Sequence, residues 1–169
     1  MQYSHCSYCG TAYADGAAWP RLCAGCGEMS WLNPLPVAVA MLPVDTDDGR
    51  GLLVVRRDIE PCRGELALPG GYIEVGETWR EAAVRELREE STILADADDV
   101  RLFDVHSTRG RTLTIFGVLP PRPANALPPS TQTEEATGYE IALTAFELAF
   151  PTHSQAMSDY FASTHFASA

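Results

Sequence analysis

Between Gly71 and Ile93 the chain reads GYIEVGETWREAAVRELREESTI, a glycine turn that runs into an acidic helix, and no other stretch constrains the fold as tightly. Thr78 and Glu81 have the spacing of a capping box, and Ala83, Val84 and Leu87 return every three to four residues. A helix from Thr78 to about Ser91 with one apolar face is therefore predicted, and that face needs a sheet or another helix to cover it. Glu86, Glu89 and Glu90 stand at i, i+3 and i+4, on one side of this helix. Like charges at that spacing repel by a few tenths of a kcal/mol per pair, so the cluster asks for a cation. A solvated face is the ordinary reading of a bare acidic run. Here Arg85 lies one turn before Glu89 and can orient it, while Gly70-Gly71 lets the backbone come close and offer a carbonyl oxygen. Oxygen ligands of this kind suit Mg²⁺ or Mn²⁺.

Two cysteine pairs, Cys6-x-x-Cys9 and Cys23-x-x-Cys26, precede this segment. A pair with two intervening residues lets both sulfurs reach one tetrahedral Zn²⁺ from a single turn, and four thiolates leave no open coordination position, so a structural zinc is expected. Gly10 and Gly27 follow the pairs and suit a backbone that turns sharply enough for its amides to face the thiolates. Cys62 stands apart and reads as a free thiol near a loop.

The remaining pattern divides the chain at about residue 34, where a Cys-, Gly- and Ala-rich segment gives way to the β-type apolar run Pro36 to Pro43. Asp45 to Gly49 is a turn signal between that run and Leu52 to Val55, which predicts a hairpin or a longer excursion between strands. Strands are expected at Val100 to His106 and Thr112 to Leu119, and a short closing helix at Ser154 to Ala162. Pro120 to Pro129 carries five prolines and is expected to be a loop or flap without a regular element. Strands mixed with two helices indicate an α/β or α+β sandwich. With 23 acidic and 12 basic residues, a net charge of −11 argues against nucleic acid as a partner and makes a cation necessary for any anionic substrate. No secretory signal and no membrane-spanning run is present in the sequence, which predicts a cytoplasmic protein with no membrane partner whose cysteines are reduced.

The segment resembles the Nudix box, G-x5-E-x7-R-E-U-x-E-E-x-G-U with U aliphatic, because Gly71, Glu77, Arg85, Glu86, Leu87, Glu89, Glu90 and Ile93 all fit. The resemblance implies an α-β-α sandwich with a mixed sheet over residues 35–169 and a Mg²⁺- or Mn²⁺-dependent hydrolase of pyrophosphate bonds. It further implies that Glu86, Glu89 and Glu90, with the Gly71 carbonyl, hold the metal and that Glu77 and Arg85 brace the loop and helix. Thr92 departs from the pattern, which has glycine there. A β-branched residue tolerates left-handed backbone poorly, at about 1 kcal/mol or more, so the helix is expected to end differently.

A four-cysteine zinc ribbon over residues 1–34 ahead of such a domain is similar to the subfamily that cleaves FAD, ADP-ribose and NADH. The NADH-cleaving branch carries an SQPWPFP-like motif that VHSTRGRTLTI, residues 105–115, lacks, so FAD or ADP-ribose is the expected substrate type. Leu66 stands where many relatives have Trp, and Trp31 or Tyr72 is left to stack on a base. In Thr133-Glu134-Glu135, Glu135 is the candidate for a further metal ligand or base. The expected partners are a small nucleotide diphosphate and a second copy of the chain in a homodimer. Two other functions remain open: a nucleotide-sensing regulator without hydrolysis, and a hydrolase of nucleoside triphosphates or of a specialised-metabolite diphosphate.

Overall fold

The computed structural model describes residues 3–108 and 111–163. Residues 1–2, 109–110 and 164–169, which fall at the ends of the two expected domains and inside the segment 105–115, lie outside the described residues. The chain divides into two compact units, Met1–Pro34 and Leu35–Ala169.

The first unit is built from two turns of one design. The Cys6 N–H donates to the Thr11 carbonyl and the Gly10 N–H to the Cys6 carbonyl, and the Cys23 and Gly27 amides repeat this with the Glu28 and Cys23 carbonyls. Gly10 and Gly27 have φ of +76° and +75°. A side chain at such an angle costs about 1–2 kcal/mol, which accounts for a glycine after each cysteine pair. Strands β1 (Arg21–Leu22) and β2 (Met29–Ser30) form a short antiparallel ladder. A packed apolar core is beyond so short a segment. Arg21 takes its place, donating to the Ala17 and Tyr3 carbonyls while its guanidinium lies 4.3 Å from the Trp19 ring centre and 5.2 Å from that of Tyr13.

The second unit begins with the predicted apolar run, which feeds two sheets. β3 (Leu35–Met41) lies in one, and after Leu42 the chain enters the other as β4 (Pro43–Thr46), which turns at Asp47-Asp48 into the antiparallel β5 (Gly49–Arg57). β6 (Leu66–Ala67) pairs with the end of β5, and β7 (Gly70–Tyr72) pairs with β3. Helix α1 (Trp79–Ser91) follows, then β8 (Arg101–Ser107), β9 (Thr112–Val118), β10 (Arg122–Pro123), β11 (Ala136–Ala142) and helix α2 (Pro151–Ala162). One mixed sheet has the order β7-β3-β9-β8, and the other runs β10-β4-β5-β11 with β6 also on β5.

Period-two alternation decides which side chains meet which helix. Ala38 and Ala40 of β3 with Leu53 and Val55 of β5 pack in one core with Ala82, Ala83 and Leu87 of α1. Val39 and Met41 with Leu52 and Val54 pack in the other with Ala156, Met157 and Tyr160 of α2. β3 is thus buried on both faces, as a central strand between two helices must be.

Two expectations need correction. The capping box forms as predicted, with the Thr78 N–H on Glu81 Oε2 at 2.6 Å and the Glu81 N–H on Thr78 Oγ1 at 3.3 Å. The far end does not depart from the pattern, because Thr92 itself takes the left-handed conformation (φ 64°, ψ 7°) and donates to the Arg88 carbonyl. Ile93, which follows, is 1% exposed in the α1 core. Burying it stabilises by about 1.5–3 kcal/mol, enough to outweigh the strain at Thr92, whose own side chain is exposed. The proline-rich segment is also more ordered than expected. Its Arg122–Pro123 pairs with Val44–Asp45 of β4, where a proline at a sheet edge needs no N–H, and Ala124–Ala126 makes a single 3₁₀ turn. Ser130 then exchanges hydrogen bonds with the Tyr139 backbone, and the Tyr139 hydroxyl donates to the Pro128 carbonyl.

His153, in the first turn of α2, is buried, and burial together with the Arg57 charge pushes its pKa down to about 3 from the ordinary 6.5. Above pH 6.5 the imidazole is neutral in both folded and unfolded chain; below it, only the unfolded chain takes the proton. Stability is therefore expected to fall from pH 6.5 towards 3 by as much as about 1.4 kcal/mol per pH unit from this group. Denaturant melts at stepped pH check it: His153→Asn should show a shallower fall than the parent, and identical slopes would refute the assignment.

Candidate active site and cysteine cluster

Helix α1 presents its glutamates unequally. Glu86 and Glu90, one turn apart, share the buried stripe with Ala82, Ala83 and Leu87, while the Glu89 side chain is 45% exposed. β7 crosses Glu86 and Glu90 and is held there by its pairing with β3 and by the Ala40 N–H on the Pro69 carbonyl at 2.8 Å. A Cβ on Gly71 would collide with the Glu86 carboxylate, and the Gly70 backbone hydrogen-bonds Glu90. A side chain at 71 would therefore force the Glu86 carboxylate to move from its place against the backbone.

Arg85 ties the loop to the helix. Its Nε and Nη2 grip the two oxygens of Glu77 at 3.1 and 2.7 Å, its Nη1 reaches Glu86 Oε1 at 2.7 Å and Glu89 Oε2 at 3.0 Å, and Nη2 also donates to the Tyr72 carbonyl at 3.0 Å. The guanidinium holds the Glu77 carboxyl below the usual carboxylate range, helped by the Glu74 N–H at 2.8 Å. Glu86 and Glu90 move the other way. Burial raises both despite Arg85 beside Glu86, and Glu90, with the charges of Glu86 and Glu135 added, is pushed up to about 8. Glu135 is exposed in a tight turn closed by Thr133 and Ala136, and its carbonyl accepts the Asp58 N–H at 2.7 Å. Its charge acts on both buried glutamates.

A NUDIX domain model matches residues 34–162. The chain belongs to this family. It is 37% identical over 94 residues to a protein named ADP-ribose pyrophosphatase from Methanocaldococcus jannaschii, a match covering 53% of this chain and 52% of that relative. It is 32% identical over 94 residues to the NAD-capped RNA hydrolase NudC of Edwardsiella ictaluri, covering 55% of this chain and 35% of the relative. The chain therefore spans about half or less of the curated relatives it matches. The crystal structure of a NUDIX hydrolase from Nitrosomonas europaea superposes with a TM-score of 0.72 at 22% identity, over 96% of this chain and 92% of that one, which shows the shared fold. Among the described residues no helix is long and apolar enough to cross a membrane.

The NUDIX box residues Gly71, Glu77, Arg85, Glu86, Glu89 and Glu90 converge at the junction of β7 and α1. Of the aromatic candidates, Tyr72 is exposed beside Gly71 at this site and Trp31 is exposed within the first unit, while Leu66 is half-buried on β6. Cys62 donates its thiol to the Ala149 carbonyl. Sequence reasoning overlooked Arg57. Its guanidinium is buried, donates to the Pro61 carbonyl at 2.9 Å, lies 5.0 Å from the Phe150 ring and opposes the rise of the Glu90 pKa. The alternation that turns Leu53 and Val55 towards α1 carries on to Arg57 and was the available signal.

The donor set fits a divalent cation. Two buried carboxylates that are reluctant to ionise alone, Glu86 and Glu90, lie against a stretch of bare glycine backbone, and the exposed Glu89 is tied to Glu86 through Arg85. The cysteine cluster fits zinc on different grounds. All four sulfurs lie within 4.8 Å of one another, with Cys6 to Cys26 at 3.8 Å and Cys9 to Cys23 at 3.5 Å. A tetrahedral site with Zn–S of about 2.3 Å has its sulfurs about 3.8 Å apart, whereas a disulfide needs about 2.05 Å.

Proposed function

We propose that the chain is a Mg²⁺- or Mn²⁺-dependent hydrolase that splits the pyrophosphate of a nucleoside diphosphate-linked substrate of ADP-ribose or FAD type. The observation that carries the reading is the approach of Gly71 to Glu86 beside the buried Glu90, which sets two carboxylates against glycine backbone, oxygen chemistry suited to a hard cation. A cation held there would supply charge to offset the phosphate oxygens and would lower the pKa of a bound water. Glu86, Glu89, Glu90 and the Gly71 carbonyl would hold it, Arg85 and Glu77 keep the loop and helix in register, and Glu135, whose charge reaches Glu86 and Glu90, would add a further carboxylate. The ADP-ribose pyrophosphatase similarity supports the substrate type. Residues 35–169 form the catalytic domain and residues 1–34 a zinc ribbon closed by Cys6, Cys9, Cys23 and Cys26.

Purified protein incubated with Mg²⁺ or Mn²⁺ and ADP-ribose, FAD, NADH, deoxynucleoside triphosphates or NAD-capped RNA tests this directly. ADP-ribose or FAD is expected to be the preferred substrate, with AMP among the products, and no turnover of any substrate with either metal would refute the reading. The ribbon has its own test. About one equivalent of zinc is expected in protein kept reduced, and chelation should free the four thiols and loosen the fold around Tyr13 and Trp19. Less than about half an equivalent, with the thiols already reactive, would count against a structural zinc.

A further inference from the structure

Helix α2 reaches the cation-binding loop through one side chain. His153 Nδ1 accepts the Leu68 backbone N–H at 3.3 Å in a buried setting. An imidazole that accepts at Nδ1 is neutral and keeps its proton on Nε2. Its surroundings hold it in that state. The Phe116 and Phe150 rings stand edge-on to it at 5.6 and 5.1 Å, and the buried Arg57 guanidinium, over the Phe150 ring, opposes a second positive charge.

Leu68 opens the segment that ends in Gly70-Gly71. Pro69 has no N–H, so the Leu68 amide is the last donor before Gly70, whose backbone hydrogen-bonds Glu90. The segment is thus fixed at Leu68 by His153, at the Pro69 carbonyl by Ala40, and from Gly70 to Tyr72 by β3. The first of these ties comes from a side chain 85 residues further along the sequence.

We propose that His153 is a positioning residue whose neutral Nδ1 sets the distance of Leu68–Gly71 from the α1 carboxylates and thereby the affinity of that site for a divalent cation. This rests on the reading that Gly71, Glu86 and Glu90 hold the cation. Mn²⁺ alone is the probe, followed by electron paramagnetic resonance in the full chain. His153→Asn puts an oxygen at the position of Nδ1, His153→Gln puts it one bond further out, and His153→Phe keeps a ring but removes the acceptor. The Gln and Phe variants are expected to bind Mn²⁺ about tenfold more weakly or worse, as when an outer partner of a metal ligand is lost, while Asn restores most of the affinity. Wild-type affinity in Gln and Phe would overturn the proposal. So would equal weakening in all three, in step with their melting temperatures, because packing rather than the acceptor atom would then be responsible. Should Phe fail to fold, the Asn and Gln pair decides. Glu90→Gln separates the two readings: if it loses Mn²⁺ while Gln and Phe at 153 do not, only the positioning role falls, and if it binds Mn²⁺ like wild type, the cation site falls with it.

Discussion

Glu90→Gln is expected to lower kcat by roughly 10²-fold or more while leaving the metal-free fold intact or firmer, because it removes a metal-binding charge with little change in volume. The stability half of this result follows from burial. Glu90 is 4% exposed, and burial, then the charges of Glu86 and Glu135, push its pKa from 4.5 to about 8. The folded chain therefore holds this proton more tightly than the unfolded chain does. Its stabilising effect is complete below about pH 4.5 and is lost as pH rises through about 8, at no more than about 1.4 kcal/mol per pH unit. In metal-free protein, Glu90→Gln should flatten that decline and melt higher than wild type at pH 8. Glu89→Gln should match the kinetic loss without the stability gain, since the Glu89 side chain is 45% exposed. Undiminished hydrolysis in both variants would remove the catalytic role from the cluster. A higher melt for Glu89→Gln than for Glu90→Gln would remove burial as the cause.

Arg85→Ala is expected to cost about 3 kcal/mol or more of unfolding free energy and to abolish divalent-metal binding, because it strips the cation from several partly buried acceptors at once. The Arg85 side chain is 20% exposed and those of Glu77 and Glu86 are 17% and 9% exposed, so water cannot readily replace it. Arg85→Lys should recover only part of the loss. An ammonium has no planar fork to hold both Glu77 oxygens while also reaching Glu86, Glu89 and the Tyr72 carbonyl. The ion pair of Arg56 with Glu140 supplies the contrast. At 46% and 52% side-chain exposure it is a surface pair, and Arg56→Ala should change stability by about 1 kcal/mol or less. Urea melts of the three variants decide the matter. If Arg85→Ala and Arg56→Ala cost the same, the brace is no more than a surface network.

Helix α1 shows where sequence reading succeeds and where it stops. Its capping box, its apolar face and the acidic spacing were legible because they are relations between residues one turn apart, and an α-helix converts such spacing directly into geometry. The end at Thr92 was misjudged because the local penalty for a β-branched residue was weighed without Ile93, whose burial depends on strands more than thirty residues away. The proline-rich segment was misjudged for a similar reason, since the β4 edge it pairs with is invisible to local composition.

By itself the sequence determined the cysteine pairs with their glycine turns, the capped acidic helix and the apolar run that forms β3. Only the tertiary structure decided that Glu86 and Glu90 are buried while Glu89 is not, that Gly71 lies against a carboxylate, and that the Arg57 charge bears on the buried His153. The physical reason is range. Periodicity and capping act between neighbours along the chain, whereas the protonation of a buried glutamate or imidazole is set by desolvation and by charges that distant elements bring together.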